Sequence, residues 1–147
     1  MVEAGEGISH EKKDSLEERY ILDTSALYPI LLRMSNESLL KLLPKLAILD
    51  LTKYELGNVI RYDRKVKDAS KLISSWQVIL DSISKEEARD MKQVYEIASE
   101  NNLTFYDAAY VQVAVASKRK LVTMDAEIIK KFKEITMVPE DLKQSFV

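Results

Sequence analysis

The apolar positions of this chain alternate between short unbroken runs and longer stretches spaced at helical intervals. Tyr20-Ile21-Leu22, Leu46-Ala47-Ile48-Leu49, Lys120 to Thr123 and Ile135 to Val138 are the short runs, and they read as strands covered on both faces. Between them, helical spacing marks Ala26 to Met34, Asn36 to Leu43, Thr52 to about Lys65, Thr104 to about Lys118 and Ala126 to Phe132. Pro29 implies a late start or a kink in the first helix, and Pro44 closes the second. Ser84 with Glu87 forms a capping-box pattern that predicts a helix through Ser99, broken by Asn101-Asn102. Ala69 to Leu80 has helical spacing, yet Trp76 to Leu80 reads equally well as a strand. Strands alternating with helices predict an α/β fold: a mainly parallel central sheet of about four or five short strands, flanked by helices.

The chain has 147 residues, the size of one domain with a substantial core. Residues 20–147 are read as that domain, and residues 1–19 as a polar, acidic, flexible extension rich in Glu, Lys, Ser and Gly. The extension has no apolar core of a secretory signal, and no stretch reaches the roughly 20 apolar residues that span a bilayer. The formal net charge is −2, of which the first 19 residues carry −3, leaving residues 20–147 at +1. That is far from the strongly basic balance of a protein that coats nucleic acid.

Cysteine is absent, which excludes disulfides, thiolate nucleophiles and cysteine metal sites and is compatible with a cytoplasmic setting. The single histidine, His10, lies in the extension, so a histidine triad or a multi-histidine metal site has nothing to build on. Any metal must be held by oxygen. Three glycines (Gly5, Gly7, Gly57) make no phosphate loop, which makes dinucleotide binding a poor reading.

Asp23, Glu55, Asp107 and Asp125 stand where short apolar runs give way to helices, or in the first turns of helices. In a wound α/β fold those positions share one edge of the sheet. Four carboxylates there repel one another unless a cation neutralises them, and a hard divalent ion takes carboxylate, water and phosphate oxygens. Each acid alone has a structural reading. Asp23 and Asp125 suit helix N-caps, while Thr52-x-x-Glu55 and Thr104-x-x-Asp107 resemble capping boxes. Asp107 is the hardest to explain that way, because its neighbours are largely apolar and no lysine or arginine is within helical reach. Asp50 and Asp81 also follow apolar runs but are less well placed.

These segments resemble the motifs of PIN-domain ribonucleases. Ile21-Leu22-Asp23-Thr24-Ser25-Ala26-Leu27 is similar to the opening motif, and Leu51-Thr52-x-x-Glu55-Leu56 to the helix-borne glutamate. Leu103-Thr104-x-x-Asp107-Ala108-x-Tyr110 and Leu121-Val122-Thr123-x-Asp125 resemble the third and fourth acidic motifs. The resemblance covers about residues 20–138, in order, and the short layout looks most like the VapC toxins of toxin–antitoxin pairs. It implies a PIN-like three-layer fold and a Mg²⁺- or Mn²⁺-dependent endoribonuclease, cleaving by in-line attack of metal-activated water. It further implies Asp23, Glu55, Asp107 and Asp125 as catalytic metal-site acids, supported by the hydroxyls of Ser25 and Thr123, with a homodimer and a cognate antitoxin as partners. An N-terminal extension of 22 residues before the first acid departs from the family pattern.

Basic residues suggest where RNA would lie. Arg61, Arg64 and Lys65, with Lys67 and Lys71, follow Glu55, and Lys118, Arg119 and Lys120 form a second cluster, each readable equally as a solvated face. Lys130, Lys131 and Lys133 read as ordinary surface charge. Tyr54, Tyr106 and Tyr110 sit beside the acids, with packing against the sheet preferred over base stacking. Leu39, Leu40, Leu42 and Leu43 read as core, with a partner surface as the other option. An RNA-maturation nuclease that is not a toxin and a silent binding module remain alternative functions on the same scaffold.

Overall fold

Five parallel strands lie side by side in the order β3-β2-β1-β4-β5 in the computed structural model, which describes residues 19–144. The strands are β1 (Tyr20–Leu22), β2 (Leu46–Leu49), β3 (Ser84–Glu86), β4 (Leu121–Val122) and β5 (Thr136–Met137). Eight helices connect and follow them among the described residues: α1 (Thr24–Arg33), α2 (Asn36–Leu42), α3 (Thr52–Tyr62), α4 (Ala69–Ser82), α5 (Met91–Asn101), α6 (Phe105–Ser117), α7 (Ala126–Lys131) and α8 (Pro139–Gln144). The expected α/β class and strand number are therefore observed. The flexible extension assigned to residues 1–19 falls, apart from Arg19, outside the described residues.

Alternation along the strands divides the interior in two. Leu22, Leu46, Ile48 and Val122 face a cluster formed with α1 to α4 and Leu142 of α8. Ile21, Ala47, Leu49 and Leu121 face a second cluster formed with α5, α6 and α7. Leu39 and Leu42 of α2, with Leu43 just after it, join the first cluster, as core burial requires, while Leu40 is exposed. A hydrogen bond from the Tyr28 hydroxyl to Asp63 ties α1 to the end of α3. Burial with this partner pushes Tyr28 up to about 12, and the phenol's donation holds Asp63 below the ordinary carboxylate range.

Local chemistry explains most helix starts. Ser35, Asp68, Asp90 and Thr104 cap α2, α4, α5 and α6 by accepting backbone N–H groups. Asn102 and Lys118 end α5 and α6 in the left-handed region, at φ 54° and 56°.

Two expectations are corrected and one open alternative is resolved. Ser84 does not cap a helix: Ser84 to Glu86 is an edge strand paired with β2, and the helix begins at Met91 beneath Asp90. A short edge strand exposes one side to water and needs no apolar run, so Ser-Lys-Glu carries no strand signal. The ambiguous segment Trp76 to Leu80 is helical, inside α4. Pro29 lies inside α1, which nevertheless starts at Thr24 because Asp23 caps it there.

Helix α6 is the most deeply set, with every residue from Ala108 to Ala114 buried. Alanines at 108, 109 and 114 allow close approach to the sheet, so Ala108→Leu should cost about 1–3 kcal/mol through overpacking. Guanidinium unfolding midpoints of the two proteins measure this.

Candidate functional site

Strand order reverses direction at β1, because β2 and β3 lie on one side of it and β4 and β5 on the other. The crevice beyond the carboxyl ends of β1 and β4 is therefore the topological switch point, where α/β sheets hold their ligands. Asp23 follows β1 there, and Thr123-Met124-Asp125 follows β4.

The two strand ends are joined through hydroxyls. Asp23 Oδ1 accepts from the Ser25 hydroxyl at 2.6 Å and from the Ala26 N–H at 3.1 Å, and Oδ2 accepts from the Thr123 hydroxyl at 2.5 Å. The Ser25 oxygen accepts the Met124 N–H at 2.9 Å, and the Thr123 oxygen accepts the Asp125 N–H at 3.1 Å. Asp23 is only 5% exposed, and burial raises its carboxyl to about 6. The Ser25, Thr123 and Ala26 donors oppose that rise, while the nearby charge of Asp107 adds to it. Asp125 caps α7 by accepting the N–H groups of Glu127 and Ile128. Both acids are thus the helix caps their sequence suggested, and both also face the switch point.

Glu55, in the first turn of α3, is held differently. Its Oε1 accepts from the Thr24 hydroxyl at 2.9 Å and from the Tyr110 hydroxyl at 2.7 Å. Thr52 does not form the expected capping box: α3 is capped by the backbone at Leu51, and the Thr52 oxygen accepts the Leu49 N–H at 3.1 Å. The Thr52 hydroxyl lies 2.7 Å from that of Tyr110. Tyr110 is likewise not a stacking surface, being 1% exposed, with its phenol pushed far above the ordinary range by burial and by Glu55. Spacing gave one signal for it: Tyr110 follows Asp107 by three positions on α6 and shares its helix face.

Asp107 completes the group from the first turn of α6, where the Thr104 capping bond forms as expected, at 3.1 Å. Burial raises its carboxyl above the ordinary value, the charges of Asp125 and then Glu55 raise it further, and Thr104 opposes. The other three acids therefore all lie within electrostatic reach of Asp107. Asp50 and Asp81 are exposed and take no part in this coupling.

A PIN domain family model matches residues 20–135. The chain belongs to the PIN-domain family. It is 36% identical over 123 residues to the Exonuclease VapC9 of Pyrobaculum aerophilum, an alignment covering 78% of this chain and 86% of that protein. It is also similar to the crystal structure of PAE2754 from Pyrobaculum aerophilum, with a TM-score of 0.78 and 33% identity, covering 87% of this chain and 96% of the other.

The chemistry of this PIN domain's edge suits a hard cation. Every side-chain donor there is oxygen, four of the groups are acids, and neighbouring charge raises the proton affinity of Asp23 and Asp107. Among the described residues, ion pairs join Arg89 to Glu87, Arg119 to Glu86 and Lys131 to Glu127, and none reaches the four acids. Among the described residues, no three of the acids stand close enough to hold one ion between them. Mg²⁺ is commonly held by only one or two carboxylates and keeps several of its waters, so it requires no larger group.

The surroundings separate the remaining candidates. Tyr54 and Tyr106, next to Glu55 and Asp107, are 71% and 61% exposed, contrary to the expectation that they pack on the sheet. An apolar groove of about 260 Å³ adjoins Tyr106, lined also by Leu49, Leu51, Met91 and Phe105, with Asp50, Glu86 and Glu87 at it too. Arg61 stacks over Tyr62 near the end of α3, roughly 9 Å along the axis from Glu55, and Arg64 and Lys65 lie just beyond the helix. Lys118, Arg119 and Lys120 precede β4 and so lie at the opposite edge of the sheet from the acids. Arg119 is moreover bound to Glu86 at 2.9 Å.

Asp23 gives the site a pH signature. Its folded-state value of about 6 exceeds the 3.8 of a free aspartate, so the fold is favoured while the carboxyl is protonated, and that contribution is lost as pH rises from about 4 through 6. In metal-free protein, the stability of Asp23→Asn relative to wild type should therefore increase by up to about 3 kcal/mol between pH 4 and pH 7. Denaturant titrations in EDTA at the two pH values check it.

Proposed function

We propose that this PIN domain is a Mg²⁺- or Mn²⁺-dependent endoribonuclease that hydrolyses RNA phosphodiester bonds, acting as the toxin of a toxin–antitoxin pair. The observation that carries the reading is the gathering of four acids around Asp107 at the switch point, with no ion pair to any of them among the described residues. Asp23, Glu55, Asp107 and Asp125 would hold the metal, which when bound neutralises charge at the scissile phosphate and acidifies water.

The protein's own groups do the rest. Ser25 and Thr123 fix both oxygens of Asp23, so that acid cannot rotate away from the crevice. Asp125 is oriented by two backbone donors at the start of α7. The exposed rings of Tyr54 and Tyr106 offer faces on which RNA bases stack beside the acids. Arg61, Arg64 and Lys65 contribute phosphate contacts along the flank of α3, giving binding that weakens with salt. Lys118, Arg119 and Lys120, at the far edge, are not part of this path.

The VapC name of the relative supports a cognate antitoxin, and the resemblance to VapC toxins supports a homodimer acting in the cytoplasm. The same relative is called an exonuclease, which favours a second reading in which RNA is removed from an end. Labelled RNA in linear and closed circular forms separates the two. An endonuclease cuts both when Mg²⁺ or Mn²⁺ is present and neither in EDTA, whereas an exonuclease leaves the circle intact. Asp107→Asn should slow cleavage at least about 100-fold, the scale of losing one charge-stabilising active-site group. Metal-independent cleavage, or an Asp107→Asn protein as active as wild type, would overturn the metal-site assignment.

A further inference from the structure

We propose that Tyr110 and Thr24 are positioning residues that hold Glu55 by one oxygen so that its other oxygen is left for a ligand. The inference rests on the metal reading of the site and adds residues to it. Both hydroxyls donate to the same atom, Oε1, at 2.7 and 2.9 Å. Among the described residues no donor reaches Oε2.

Proton counting fixes the direction of this network. The Leu49 N–H can only donate, and it donates to Thr52 Oγ1. Glu55, as a carboxylate, can only accept. Tyr110 has one hydroxyl proton, directed at Glu55, so the 2.7 Å contact between Tyr110 and Thr52 must be a donation from Thr52. A chain of donors therefore runs from the backbone of β2 through Thr52 and Tyr110 to Glu55, and Thr24 closes it from α1. The Tyr110 ring is enclosed in the core around α6, which leaves the hydroxyl no other place to go. Three elements, α1, α3 and α6, thus set the orientation of one carboxylate. Because α6 also carries Asp107, the same helix supplies one acid and the holder of another.

The groups that orient a metal's ligands from behind are worth about 10- to 100-fold in metal affinity. Calorimetric titration of Mn²⁺ into the metal-free full-length protein tests the role without reference to catalysis. Tyr110→Phe keeps the ring and removes the hydroxyl, and Thr24→Val keeps the shape and removes the other donor. Each should weaken Mn²⁺ binding about tenfold. Gln112→Met serves as the structural control, since Gln112 is a buried polar residue of the same helix whose bond goes to Gln93 instead. That variant should bind Mn²⁺ as wild type does, whatever it does to the melting temperature. Unchanged binding in both hydroxyl variants, or equal weakening in the control, would overturn the positioning role while leaving the metal site in place. No Mn²⁺ binding by wild type would instead remove the metal reading, and this role with it. If Tyr110→Phe fails to fold, Thr24→Val decides alone.

Discussion

Parallel pairing of β1 with β4 is the constraint on which the rest of the molecule depends. Because the strands run the same way, every strand delivers its carboxyl end, and every following helix its amino end, to one edge. Helix amino ends carry free N–H groups and partial positive charge, so acids are favoured there before any function is considered. Asp23 and Asp125 each exploit this, accepting N–H groups at the starts of α1 and α7. What turns ordinary caps into a site is adjacency: β1 and β4 are neighbours at the point where the strand order reverses, so two caps that lie 102 positions apart in sequence share one crevice.

Concentrating charge in that crevice has a cost that the fold carries openly. Asp23 is nearly enclosed and its carboxyl titrates near 6, although three donors work to hold it ionised. Asp107 is raised as well, first by burial and then by two other acids. A protein selected for stability alone would gain by replacing either with an uncharged residue. That both stand in one crevice, with no ion pair reaching them among the described residues, separates this edge from an ordinary row of helix caps.

How much of this was legible depended on whether the signal was local. The apolar runs of β1, β2 and β4 announced themselves, since strands covered on both faces need continuous hydrophobicity. The four acids were legible for the same reason: they follow those runs or open the next helix. Edge strand β3 was not, because Ser84-Lys85-Glu86 is polar and imitates a helix start. Tyr110 packs in the core as its sequence suggested, but its bond to Glu55 and the link from Thr52 to it span 55 and 58 positions, which no spacing along one helix encodes. Tyr54 and Tyr106 were misread. Aromatic residues beside apolar runs suggest packing, but both sit in the first turns of their helices with their side chains exposed.

The choice of neutral groups around the acids follows from what the crevice must retain. A lysine in place of Tyr110 or Thr24 would hold Glu55 as firmly, and it would also cancel the charge being held. Hydroxyls fix direction through a hydrogen bond while leaving the carboxylate's charge for something else. Ser25 and Thr123 do this for Asp23, and Thr24 and Tyr110 do it for Glu55. Two acids from different strands and helices are therefore held by the same device, with their negative charge undiminished. A site built to be neutral at rest would use ion pairs, as Glu86 does with Arg119 on the same molecule. The proposed cation site calls for acids that are oriented and unpaired, and among the described residues no ion pair reaches the four acids at the carboxyl edge of this sheet.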